Sequence, residues 1–87
     1  MKSFTQSSLP KLNESQCYII LAEVQTGIIL NLDEKYNLEP DEYPILLFDS
    51  YDDARNFAEK KITENSEIEC LIFNFKKEFI ERIFKKV

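Results

Sequence analysis

The chain has 87 residues, with no His, no Trp, one Gly, one Met and two Cys. Without His there is no Ser-His or Cys-His nucleophile pair, no imidazole metal ligand and no side chain that titrates near neutrality unperturbed. With Gly27 alone, no Gly-rich loop can cradle a phosphate. Long hydrophobic runs are missing as well. The longest unbroken one is Cys17–Ala22 (CYIILA), far below the roughly 18–20 residues that cross a bilayer. Met1–Gln16 (MKSFTQSSLPKLNESQ) is polar and lacks the basic-then-apolar start of an export signal. These absences predict a cytoplasmic protein that is not an enzyme and carries no cofactor or metal.

What is present is ordinary globular composition: 44% hydrophobic, 13% aromatic and 31% charged residues. A chain of this size supports one core, burying roughly 60–65% of its unfolded surface. Cys17 and Cys70 each sit in an apolar run and neither belongs to a Cys-x-x-Cys pair. They read as reduced structural thiols; a cross-link would need their strands to be neighbours.

Residues 1–16 hold isolated apolar positions, Phe4, Leu9 and Leu12, around Pro10, and read as a polar, flexible or loosely docked arm ahead of a single domain over 17–87. Cys17–Val24 has almost no polar relief, as a strand buried on both faces would. Gln25, Thr26 and Gly27 interrupt the run before Ile28–Leu32 resumes it, so a hairpin turning at Gly27 is expected. Asp33–Tyr43 (DEKYNLEPDEY) is a surface loop, and Ile45–Phe48 a short strand. Ser50 and Asp53 have the spacing of a variant capping box, followed by Ala54, Phe57, Ala58 and Ile62 on one helical stripe. Asn65 is the expected stop. Ile68–Phe75 alternates as a strand. Phe79–Val87 fits a helical stripe with favourable Glu78–Arg82 and Glu81–Lys85 pairs, but Phe79, Glu81 and Ile83 also alternate, so helix and strand both stay open. The order predicts an α+β domain: a small, mainly antiparallel sheet of about four strands with one or two helices on one face.

The net charge of −5 conceals an uneven distribution. Asp33–Asp53 holds eight acids and only Lys35, whereas Lys76–Lys86 holds five bases and two acids. An acidic segment can simply solvate a loop, but Tyr36, Tyr43 and Tyr51 are interleaved with these acids, and aromatic anchors ringed by charge are what protein interfaces favour. Asp33, Glu34, Tyr36, Glu39, Asp41, Glu42 and Tyr43 are therefore the candidate protein-binding residues, with a basic protein as partner.

Other chemistries fit less well. Asp49, Asp52 and Asp53 cluster at a strand end, but the last two would point about 100° apart on a helix and already complement its macrodipole. The loop from Asp33 lacks the sixth-position Gly of a calcium-binding EF-hand. Pro40–Asp41 with Glu59–Lys60–Lys61 matches the loose text of a restriction-nuclease motif, but its Glu-x-Lys falls on a helix instead of a strand. Glu23 reads as a strand-end residue. Phe73 and Phe75 before Lys76 and Lys77 could stack bases; the negative net charge and their pattern with Leu71 favour core positions, so no nucleic-acid partner is expected. The sequence favours a non-enzymatic protein-binding domain, in concrete form an inhibitor or immunity-type protein for a basic toxin or nuclease. The alternative is a homo-oligomeric structural module of bacterial or phage type, with Phe79–Val87 or an apolar strand face in a homodimer interface.

Overall fold

In the computed structural model, which describes residues 2–38 and 42–85, the elements are β1 (Lys2–Thr5), a 3-10 turn (Gln6–Ser8), β2 (Cys17–Glu23), β3 (Pro44–Phe48), α1 (Tyr51–Glu64), β4 (Ile68–Phe73) and β5 (Phe79–Ile83). The strands form one sheet in the order β1-β3-β2-β4-β5, with every neighbouring pair antiparallel. The fold is the expected α+β type, with five strands and one helix among the described residues.

The unbroken apolar run of β2 takes the central position because both its faces are covered. Cys17, Ile19 and Leu21 point to the side occupied by α1, whereas Tyr18 and Ile20 point to the other. β3 and β4 flank β2 and run parallel to one another, so the chain must cross β2 to connect them, and α1 makes that crossing. The helix lies on the sheet through Ala54 and Ala58, both fully buried, where small side chains permit close approach; Tyr51, Phe57 and Ile62 fill the margins. Ser50 caps it as expected, its hydroxyl accepting from the Asp53 amide, with Asp52 and Asp53 in the first turn. Asn65 ends it.

The second face of the sheet presents Tyr18, Ile20, Ile45 and Leu47, with Leu71 and Phe73 beside them. No second helix covers it among the described residues. The cover comes from the segment that reads in sequence as an arm: Lys2–Thr5 pairs with β3 as the fifth strand, and Leu12, only 8% exposed, packs on this face with Phe4 and Leu9. Phe73 stacks on Tyr18 at 5.0 Å between centroids, directly opposite it in register, and Phe75 packs into the same cluster.

Of Phe79–Val87, Phe79–Ile83 forms strand β5, and residues 86 and 87 lie outside the described residues. Asn74 builds the corner: its side-chain oxygen accepts from the amides of Lys76 and Glu78, and Lys77 takes a left-handed φ of 65°. The returning chain buries Ile83 opposite Cys70. Tyr51 and Arg55 of α1 then reach down to β5, both donating to the carboxylate of Glu81. Cys17 lies opposite Phe48 and Cys70 opposite Leu21, so the thiols are not paired; both are free and buried, and burial pushes the Cys70 thiol up to about 12.

Candidate functional site

Beyond β2 the chain turns at Gly27, which has a φ of +72°, with the Gly27 amide donating to the Glu23 carbonyl and the Glu23 amide to the Ile28 carbonyl. The expected hairpin forms only briefly. Ala22 bridges Ile29, but β3 takes the same flank of β2 from Cys17 to Ile19. The returning limb therefore leaves the sheet and pairs with the chain that follows it. Leu30 bridges Tyr36, the Asn31 amide donates to the Lys35 carbonyl and the Asn37 amide to the Ile29 carbonyl. The result is a small ribbon over residues 28–38 whose turn is closed by Glu34 at a φ of 67° and by Asp33, whose carboxylate accepts from the Lys35 amide.

Two contacts fix this ribbon to the domain. The Tyr36 hydroxyl donates to both carboxylate oxygens of Glu23, at 2.9 and 3.0 Å, and Thr26 donates to the same carboxylate. That bond, with the negative charges of Glu23 and Glu67 nearby, raises the Tyr36 phenol above its ordinary range. At the turn, Glu34 accepts from the Asn65 amide group at 2.8 Å and from the Lys61 ammonium at 3.1 Å. These bonds hold its carboxyl below the ordinary range, that from Asn65 contributing most. Lys61 and Asn65 stand at the C-terminal end of α1, where a cation is favoured by the macrodipole, so the ribbon is latched to the helix end.

Leu30 is buried in the main core and Ile29 packs against the second-face cluster; the other apolar side chains of the ribbon are not covered. Ile28, Leu32, Tyr36 and Leu38 are all exposed, Tyr36 by 48% and Leu38 by 86%. Extending the Leu30–Tyr36 register outward brings Ile28 opposite Leu38. The outcome is an exposed apolar strip carrying a pinned aromatic ring, with the carboxylates of Glu23, Asp33 and Glu34 beside it.

The seven sequence candidates are divided by this geometry. Asp33, Glu34 and Tyr36 come together on the ribbon. Glu42 lies on the approach to β3 and accepts from the Ser7 hydroxyl at 2.7 Å. Tyr43 is half-buried against the second-face cluster. Glu39 and Asp41 lie outside the described residues. The continuous acidic segment is also split in space, because β3 carries the chain from the ribbon end of the sheet to the other: Asp49, Asp52, Asp53 and Tyr51 sit beside the start of β2, not near Tyr36. The apolar members, Ile28, Leu32 and Leu38, were not among the sequence candidates; the signal available was Leu38 standing alone between polar and acidic neighbours. Glu23, a strand-end residue in sequence, is also the anchor for Tyr36.

Of the ionisable side chains here, Tyr36 with Glu23 and Glu34 with Lys61 hold the ribbon to the domain. Among the described residues no three Cys, Asp or Glu side chains converge as metal ligands, and none of the described helices is long and apolar enough to cross a membrane. Comparison with protein-family models, with curated proteins and with solved structures finds no match.

Proposed function

We propose that this chain is a non-enzymatic protein-binding domain that docks a basic partner through the ribbon, in concrete form as an inhibitor or immunity-type protein for a basic toxin or nuclease. The observation that carries this reading is Tyr36: its hydroxyl is tied to Glu23 while its ring stays half-exposed beside Leu38. A tyrosine fixed in this way loses little side-chain freedom on binding and brings a large contact area, and the surrounding acids select a basic partner and speed encounter. Asp33 and Glu42, together with Glu39 and Asp41 in the same connection, supply the charge; Glu34 mainly holds the ribbon in place. Tyr43, packed on the second-face cluster, supplies apolar contact area next to β3.

The test is affinity capture from the native host with two baits, the unaltered chain and a Leu38→Ser/Asp33→Asn variant. A basic protein retained by the first at low salt, released by high salt and lost from the second supports the reading. Identical captures on both baits contradict it. A second reading, the homo-oligomeric module, is favoured by the open edge of β5, where Phe79 is 57% exposed and Ile80 is also exposed. It predicts a two-fold dimer that Ile80→Lys dissociates.

A further inference from the structure

At the end of the sheet opposite the ribbon, the β4–β5 corner meets the segment that covers the second face. Between them lies a groove of about 420 Å³ lined by Leu9, Pro10, Leu12 and Phe75 and rimmed by Lys11, Lys76 and Lys77. The Lys76 ammonium sits 5.7 Å from the centroid of the Phe75 ring. In a chain of net charge −5, this is a local inversion of sign around an apolar floor. The ribbon carries the complementary set: exposed Leu32 beside Asp33 at its turn, and exposed Leu38 at its other end. The register separates the two surfaces to opposite ends of the sheet, since Glu23 pairs with Ile68 at the ribbon end and Tyr18 with Phe73 at the groove end. A molecule therefore cannot satisfy its own groove.

We propose that the groove receives the ribbon of a second copy of this chain, Leu32 or Leu38 entering the apolar floor and the ribbon carboxylates facing Lys11, Lys76 and Lys77. This rests on the reading of the ribbon as a docking surface and adds that the chain's own lysine end competes for it with the basic partner. Because the two surfaces differ and lie at opposite ends, the contact is head-to-tail and does not close after two copies. Exposed charge pairs around a small apolar contact give a weak, salt-sensitive association.

Sedimentation equilibrium of the unaltered chain in low salt tests this, together with two variants at exposed positions: Lys11→Glu/Lys76→Glu in the groove and Leu32→Ser/Leu38→Ser on the ribbon. The unaltered chain is expected to rise with concentration past twice the 10.3 kDa of one copy and to return towards it in high salt. Each variant alone stays at one copy. An equimolar mixture of the two, which retains one complementary pair of surfaces, stops at two copies. A chain that remains single at every concentration overturns the proposal, as does one that stops at a dimer dissociated by Ile80→Lys, or a variant mixture that does not associate. None of these results alters the two-bait capture, so failure of the self-contact is distinguishable from failure of the ribbon as a docking surface.

Discussion

Gly27 and Glu34 show how single residues set the ribbon. Gly27 has a φ of +72° and nothing within 4 Å of where a Cβ would stand, so a side chain there meets backbone strain and no steric clash. Gly27→Ala should destabilise the domain by about 1–2 kcal/mol in denaturant unfolding, the cost of a left-handed conformation for an L-residue. Glu34 has its carboxyl held below the ordinary range, by Asn65 first and then by Lys61. A depressed folded value contributes stability above the unfolded carboxylate pKa of about 4.3, and that contribution is lost as pH falls through the folded value. Amide exchange at Asn31 and Asn37, corrected for intrinsic rates, should therefore accelerate below about pH 4. In Glu34→Gln the acceleration should be present at neutral pH and show little further change on acidification. Glu34 was legible as an acid of the loop and not as a latch, because Lys61 and Asn65 are 27 and 31 residues away in sequence. Tyr36 was legible as a tyrosine set among acids; its anchor, Glu23, was not.

Among the elements, α1 was the most legible, since its period and its Ser50 cap are local features that tertiary packing only had to accept. β5 was ambiguous because Phe79, Ile80, Ile83 and Phe84 fit a helical stripe while Phe79, Glu81 and Ile83 alternate; what decides it is the Asn74 corner and the burial of Ile83 opposite Cys70. β1 was not legible. KSFT has no alternation worth reading, and it becomes a strand because β3 offers an open edge and the second face needs cover. The same need gives Leu12 its importance. Leu12→Ala should cost about 2–3 kcal/mol in denaturant unfolding, whereas substituting exposed Leu38 by Ala should change stability by less than about 0.5 kcal/mol. Equal effects at the two positions would place the covering segment outside the cooperative unit.

For the whole molecule, composition predicted a polarised surface, and the fold redistributes that charge. β3 carries Asp49, Asp52 and Asp53 away from the ribbon to the end that also holds Lys11, Lys76 and Lys77, leaving one predominantly acidic apolar end and one mixed end. The net charge says little about docking; the ribbon end carries the claim. Its most direct measurement is the association rate of the captured basic partner across a salt series, for the unaltered chain and for Asp33→Asn/Glu39→Gln/Asp41→Asn/Glu42→Gln, which spares the Glu34 latch. The unaltered chain should associate about tenfold or more faster at low salt, and the variant should be slower with a flatter dependence. Superimposable rates for the two chains across the series would contradict recruitment of a basic partner by these acids.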